Sequence, residues 1–252
     1  MGESNMSVQD KVILVTGAAQ GIGRAFTEAL LAKGAKVVIA DIQIENAEKT
    51  KQELVGDTDQ AYAVKLDVVN NEEVKAVVKN IVEKYGRIDG LVNNAGISRP
   101  AMLHKMTEQE FDQVVKVHLY GGFNCIQAVA QYMREQNSGK IVNVTSSAGI
   151  QGTIGQINYA SAKAGLIGMT KSAAKELAKY NVFVNAIAPA ARTEMTNKIY
   201  TDPKLKDIYL NRIPLKRFAE AEEIAPMVIH LLSDDNTYIT GQVININGGS
   251  VM

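Results

Sequence analysis

The stretch Lys11–Gly23, KVILVTGAAQGIG, is the clearest indication of the fold. It opens with a continuous apolar run that ends at a glycine, a pattern typical of a β-strand buried on both faces. Beyond this run, apolar residues recur at helical spacing until Gly34. A buried strand that passes through glycines into an amphipathic helix predicts the first half of a β-α-β unit.

The same alternation continues along the chain. Further strands are predicted at 35–41, 60–66, 87–93, 139–146, 181–187 and 241–249, and further helices at 43–55, 70–85, 107–136 and 158–179. Alternating strands and helices favour a parallel sheet covered on both faces. We therefore predict an α/β fold: a single Rossmann-type, doubly wound parallel sheet of about seven strands with helices on both faces. One domain spans 11–252, after a flexible tail over 1–10.

The composition excludes several classes of function. Acidic and basic side chains balance at 27 each, which argues against bulk electrostatic binding to nucleic acid or anionic membrane. The only cysteine, Cys125, fits a reducing compartment and has no partners for a metal cluster. The sequence has no run that could span a membrane and no secretory signal pattern. We expect a cytoplasmic protein without a metal, nucleic-acid or membrane partner.

The glycines of the opening stretch have separate physical roles. Gly17 suits the sharp turn after the strand, Gly21 the close approach of a pyrophosphate, and Gly23 tight helix–strand packing. The N–H groups at the helix start then face the phosphate charge. An ordinary glycine turn is the alternative, but the strand and helix around the motif favour phosphate binding.

Two acidic residues end later strands. Asp41 ends the second predicted strand, where a dinucleotide-binding fold places the acid that hydrogen-bonds the adenosine ribose. A 2′-phosphate there would meet a carboxylate, so the sequence predicts NAD(H) in preference to NADP(H). The alternative is an Asp that merely starts a turn. Asp67 ends the third strand, where it could bind the adenine amino group.

Three further motifs follow in order: NNAG at 93–96, Ser146 thirteen residues before a tyrosine, and NYASAKAG at 158–165, which holds Tyr159 and Lys163 four residues apart. In this combination the chain, from about residue 10 to its C-terminus, resembles the short-chain dehydrogenase/reductase family. The resemblance implies that Tyr159 is the general acid/base, that Lys163 lowers its pKa and binds the nicotinamide ribose, and that Ser146 orients the substrate oxygen. The implied cofactor-binding residues are Gly17, Gln20, Gly21, Ile22, Gly23, Asp41, Asp67, Val68, Asn93, Ala95, Gly96, Tyr159, Lys163, Pro189 and Thr193.

The chain departs from the family pattern at two places. His118 stands where many members have an asparagine that anchors a relay water, so it is a candidate catalytic residue in a supporting role. A satisfied core histidine is the alternative. In the loop IAPAARTEMT (187–196), Ala190 replaces the usual glycine, and Thr193 remains the best candidate for the nicotinamide carboxamide.

The resemblance extends to two branches, the 3-oxoacyl-acyl-carrier-protein reductases and the (3R)-hydroxyacyl-CoA dehydrogenase domains. Both imply a 3-oxoacyl or 3-hydroxyacyl thioester substrate. The alternatives are a dehydrogenase of another small secondary alcohol (a cyclic alcohol, diol, sugar alcohol or steroid) and a non-catalytic protein that senses NAD(H). The segment 190–218 resembles the family's substrate lid, whose basic residues could bind coenzyme A phosphates or an acidic carrier, or could simply be solvated. A homotetramer is expected.

Overall fold

Seven parallel strands form one sheet in this computed structural model. The structure describes residues 7–191 and 201–252, with the backbone alone at 203–205. The order of the strands across the sheet is β3-β2-β1-β4-β5-β6-β7, and every described pair of neighbours is parallel. The strands are β1 Val12–Thr16, β2 Lys36–Asp41, β3 Ala61–Lys65, β4 Gly90–Asn93, β5 Gly139–Val144, β6 Val182–Pro189 and β7 Val243–Ile246. The predicted seven-stranded, doubly wound α/β fold is confirmed.

Helices connect and cover the strands. In the described ranges they are α1 Gly21–Ala32, α2 Ile44–Val55, α3 Asn71–Tyr85, α4 Glu108–Val115, α5 Gly121–Gln136, α6 Ser147–Gln151, α7 Ile157–Leu177, α8 Pro203–Arg212 and α9 Ala225–Leu232. The short helix α6 was not among the predicted elements.

The single helix predicted over 107–136 is interrupted by a π-helical turn at Lys116–Tyr120. There the N–H of Gly121 donates to the carbonyl of Lys116, five residues earlier. A π turn inserts one extra residue into the helical register, and such turns are frequent at functional sites. It brings His118 into the interior, where the residue is 3% exposed.

The packing explains why β1 is an unbroken apolar run. Ile13 and Val15 pack into one hydrophobic core with Phe26 of α1, whereas Leu14 packs into the core on the opposite face of the sheet. Successive side chains of a strand point to opposite faces, so a strand with a core on both sides is apolar along most of its length, as Val12–Val15 are. Burying one side chain such as Leu14 stabilises the fold by about 1.5–3 kcal/mol.

The strand order locates the ligand crevice. Strand β1 pairs with β2 on one side and with β4 on the other, so the direction of winding reverses between β1 and β4. Ligands of open parallel sheets bind at this switch point, outside the carboxyl ends of the strands. The segments that follow β1, β2, β4 and β5 therefore meet at one edge. No helix within the described ranges is both long and apolar enough to cross a bilayer.

Candidate active site

The glycine turn after β1 forms an open cradle. Gly17 and Gly21 have φ angles of +60° and +54°, a left-handed conformation that glycine adopts at little cost. A Cβ at Gly23 would lie 2.2 Å from the carbonyl oxygen of Gly17. Helix α1 begins after the exposed Gln20 without a side-chain cap, and Ile22 packs against the core. Uncapped N–H groups beside a turn that only glycines allow fit the pyrophosphate of a dinucleotide.

Asn94 holds this cradle from the neighbouring strand. Its Nδ2 donates to the carbonyls of Thr16 and Gly17, at 3.0 Å each. The Thr16 hydroxyl accepts in return from the N–H groups of Asn94 and Ala95, at 3.0 and 3.1 Å. Asn94, the second asparagine of the NNAG motif, was not among the predicted site residues.

Asn93 takes a different place from its neighbour. It is 7% exposed, and its Nδ2 donates to Asn143 Oδ1 of β5 at 2.8 Å. Asn143 in turn donates to the Thr170 hydroxyl at 2.9 Å, so a buried chain of side-chain hydrogen bonds joins β4, β5 and α7. This chain fixes α7 against the sheet from within.

Asp41 and Asp67 both bond to backbone N–H groups near the crevice. The Asp41 carboxylate accepts from Gln43 at 3.1 Å and from Ala19 in the cradle at 3.4 Å. Asp67 accepts from the N–H of Val69 at 3.0 Å. Next to it, the Val68 carbonyl accepts from the buried Asn124 of α5, at 2.9 Å.

Helix α7 places Tyr159 and Lys163 on one face, since residues four apart are neighbours on a helix. The Lys163 Nζ lies 5.5 Å from the Tyr159 ring centroid and donates to the carbonyl of Val144 at 2.6 Å. The hydroxyl of Thr145, at the end of β5, donates to the Lys163 carbonyl at 2.8 Å. Lys163 is thus tied to β5 at both its backbone and its side chain.

Ser146 completes the cluster. Its hydroxyl caps α6 by accepting from the N–H of Ala148 at 3.1 Å, and it hydrogen-bonds the Tyr159 phenol. The neighbouring Ser147 instead meets Asn247 Nδ2 at 3.4 Å. Of the two serines, the structure brings Ser146 to the phenol.

Burial sets the charge states of this pair. It raises the pKa of the Tyr159 phenol, against the opposing effect of the hydrogen bond from Ser146, and it lowers the pKa of the Lys163 ammonium to about 7. The resemblance had implied a lowered tyrosine pKa. The structure differs because desolvation disfavours the charged phenolate. The phenol is therefore held protonated, as a proton donor requires.

His118 lies against Tyr159. The two rings form an edge contact, with centroids 5.1 Å apart and planes at 89°. The His118 Nε2 lies 2.8 Å from the carbonyl oxygen of Ile97 and 3.1 Å from its N–H nitrogen. Burial, with a further contribution from the Lys163 charge, lowers the pKa of His118 to about 3. The imidazole is neutral at ordinary pH, which excludes imidazolium as a proton donor there.

A small cavity adjoins His118 and Lys163, with room for about one water molecule. Thr16 and Asn93 also line it. The Nδ1 atom of His118 is buried and has no hydrogen-bond partner among the described residues. Gly96 fits beside this ring because it lacks a side chain: a Cβ there would lie 2.2 Å from His118 Cε1.

The last two predicted cofactor residues lie in the segment that leaves β6. Pro189 ends this strand and pairs with Ile246 of β7. Thr193, predicted to bind the carboxamide, lies outside the described residues.

Comparisons with known proteins give consistent results. A family model described as enoyl-(acyl carrier protein) reductase matches residues 17–250. The chain is 48% identical over 248 residues to a 3-oxoacyl-(acyl-carrier-protein) reductase of Thermotoga maritima, covering 98% of this chain and 100% of the relative. It is 44% identical over 245 residues to a reductase of the same name from Staphylococcus epidermidis, covering 96% and 100%. The crystal structure of a putative short-chain alcohol dehydrogenase from Sinorhizobium meliloti superposes with a TM-score of 0.92 at 34% identity, covering 97% and 98%.

The preference for NAD over NADP, predicted from Asp41, is wrong in the light of these relatives. Reductases of that name typically depend on NADPH. In the structure the Asp41 carboxylate is 8% exposed and already accepts from the N–H groups of Ala19 and Gln43. A carboxylate engaged in joining β2 to the cradle does not by itself identify the ribose that binds there.

Proposed function

The chain belongs to the short-chain dehydrogenase/reductase family, and we propose that it reduces a 3-oxoacyl thioester carried by acyl carrier protein to the 3-hydroxyacyl thioester. Membership makes it an oxidoreductase acting on CH–OH or keto groups. The carrier-bound substrate is supported by the names of its relatives. A non-catalytic NAD(H)-sensing role has no support from these relatives, which are named as enzymes.

The proposal rests on the half-buried, protonated Tyr159 beside Ser146, with Lys163 one helical turn away. Gly17, Gly21 and the N–H groups at the start of α1 would hold a nicotinamide dinucleotide, which would supply the hydride when bound, and the relatives favour NADPH. Ser146 Oγ donates a hydrogen bond to the substrate's keto oxygen and orients it. Tyr159 Oη gives its proton to that oxygen as charge develops there, the role of a general acid.

Lys163 supports the proton transfer in two ways. Its ammonium form stabilises the phenolate that remains on Tyr159 after the transfer, because an opposite charge nearby favours the ionised form. Its pKa of about 7 also lets Nζ hold or release a proton near neutral pH. The cavity beside it has room for a water that could return a proton to the phenolate. His118 would hold this water through Nδ1 in its neutral form.

Three apolar side chains on α4, the π turn and α5 support a homotetramer. Phe111, Tyr120 and Phe123 are 38%, 59% and 47% exposed. Exposed aromatic residues on neighbouring helical turns are typical of surfaces that pair with another chain. Static light scattering that gives a monomer mass would contradict this part of the proposal. A cytoplasmic location rests on the same relatives and is also proposed.

A substrate panel tests the proposed function. Loss of nicotinamide absorbance should be followed with acetoacetyl-acyl carrier protein, acetoacetyl-CoA and free cyclic and linear ketones, each with NADPH and NADH. We expect the highest kcat/KM with the carrier-bound thioester and NADPH. One relative structure is that of a putative short-chain alcohol dehydrogenase, which favours a small secondary alcohol as the second candidate. A higher kcat/KM for a free ketone than for either thioester would select that candidate.

A further inference from the structure

One segment beside Tyr159 has neither helix nor strand: residues Ile97–Ala101, between β4 and the short helical turn Leu103–Lys105. We call it the strap. The strap is half-buried to exposed, and because it lies outside regular structure, the shielded part of its backbone must find hydrogen-bond partners elsewhere. The described partners of the strap's backbone lie mainly in the elements that carry the active site.

The first end of the strap is held by His118. Its Nε2 meets both backbone polar atoms of Ile97, at 2.8 Å to oxygen and 3.1 Å to nitrogen. The same imidazole presses its ring against Tyr159 at 5.1 Å. A neutral ring suits this arrangement, because it packs against the phenol without placing a second positive charge next to Lys163.

Asn158, which is fully buried, holds the middle of the strap. Its Nδ2 donates to the carbonyl of Arg99 at 2.9 Å and to the carbonyl of Glu110 in α4 at 3.2 Å. Its Oδ1 accepts from the backbone N–H of Tyr159 at 2.8 Å. At the far end, the N–H of Ala101 donates to the carbonyl of Gly155, just before α7.

We propose that His118 and Asn158 are positioning residues that clasp the strap against Tyr159 and so fix the orientation of its phenol. Each of the two touches Tyr159, one at the ring and one at the backbone, and each also holds the strap. The two contacts therefore act on one rigid unit, and release of one should loosen the other. This role rests on the proposed function in that Tyr159 must donate a proton to a substrate.

A double-mutant cycle shows whether His118 and Asn158 act together through the strap or whether each substitution perturbs the site independently. His118→Phe keeps an aromatic ring against Tyr159 but removes the hydrogen bond to Ile97, whereas His118→Gln keeps a polar group and removes the ring. Asn158→Ala removes all three hydrogen bonds of that side chain. The matched control is Ser172→Ala, at an exposed position of the same helix far along from Tyr159.

We expect His118→Phe and Asn158→Ala each to lower kcat roughly tenfold, and the double variant to lower it by much less than the product of the two. Binding of NADPH should change less than about twofold, because the strap is not part of the cradle. Among the described residues, Ser146, Lys163 and the neutral His118 face Tyr159. Loss of the Lys163 proton, with a pKa of about 7, should give one limb of the pH–rate profile near neutral pH, and the phenol should give a separate alkaline limb at higher pH. Loosening the strap admits water to the phenol, which should lower its pKa and move the alkaline limb to lower pH. A smaller fraction of folded enzyme would instead reduce the rate by the same factor at every pH.

Hydrogen exchange of the substrate-free protein tests the clasp without any turnover. The amides of Ile97 and Ala101 should exchange faster in His118→Phe and Asn158→Ala than in the control, and His118→Gln should keep more protection at Ile97 than His118→Phe. Unchanged exchange in both variants, or rate effects that simply multiply, would overturn the proposal. Should the wild type fail to reduce any thioester, the proposed function falls, while the exchange data still decide the clasp.

Discussion

Replacing Gly23 with alanine tests how closely the cradle is built. The added Cβ would lie 2.2 Å from the Gly17 carbonyl oxygen and 2.4 Å from Asn94 Nδ2, whereas a relaxed contact is about 3.5 Å or more. The Gly17 oxygen belongs to the backbone, so it can move only if the whole glycine turn moves. Asn94 can move only by losing its two 3.0 Å hydrogen bonds, to Thr16 and Gly17.

The expected cost follows from these contacts. Overpacking costs about 1–3 kcal/mol, and each lost hydrogen bond about 1 kcal/mol. Alanine regains up to about 1 kcal/mol in helix propensity. We expect Gly23→Ala to lower the free energy of unfolding by about 2–4 kcal/mol and to weaken NADPH binding more than tenfold, because the displaced Gly17 carbonyl closes the cradle.

Urea unfolding followed by circular dichroism measures the first quantity, and nicotinamide fluorescence on binding measures the second. Glu28→Ala, on the exposed side of the same helix, is the control, and its unfolding free energy should stay within about 0.5 kcal/mol of the wild type. A Gly23→Ala variant that matches this control in both stability and NADPH binding would refute the assignment of the cradle.

Three further results are expected. The pKa of His118 is about 3 in the folded protein, below its ordinary 6.5, so the unfolded state binds more protons than the folded state between pH 3 and pH 6.5. The contribution of His118 to stability is therefore full above pH 6.5 and is lost as the pH falls toward 3. His118→Gln should flatten this dependence of the unfolding free energy on pH, measured by urea titrations at neutral and acidic pH. Burial raises the pKa of the Cys125 thiol to about 12, so iodoacetamide should leave the native protein unmodified and label it only in denaturant; rapid labelling of the native state would contradict this burial. Gly96→Ala places a Cβ 2.2 Å from His118 Cε1 and should lower kcat more than tenfold, so an unchanged kcat would mean that the imidazole is free to move.

The sheet could be predicted from the sequence because its central strands are mainly apolar, and β1 is apolar at every position from Val12 to Val15. The run Val12–Val15 and the other central strands have hydrophobic cores on both faces of the sheet. The apolar residues that this burial requires are consecutive in the chain, so the pattern is visible in a short stretch of sequence. The proximity of Ser146, Tyr159 and Lys163 could also be predicted from the sequence. Once a parallel sheet is predicted, the ends of its strands must meet at one edge.

The features that sequence did not predict depend on contacts between distant segments. The π turn at Lys116–Tyr120 shifts the helical register by one residue without a distinctive local pattern. The roles of Asn94 and Asn158 depend on backbone carbonyls far away in the chain. Asp41 was misinterpreted for the same reason, because its bonds to Ala19 and Gln43 appear only in the folded protein.

Tyr159 is proposed as the proton donor of a carbonyl reduction. The most direct test of this role is the single-turnover rate of Tyr159→Phe with NADPH and acetoacetyl-acyl carrier protein, measured beside NADPH binding by the same variant. Phenylalanine keeps the ring against His118 and removes only the hydroxyl. We expect a rate at least a hundredfold below the wild type, the usual contribution of general acid catalysis, with NADPH binding within about twofold. A variant that reduces the thioester at a rate close to the wild type would contradict this role.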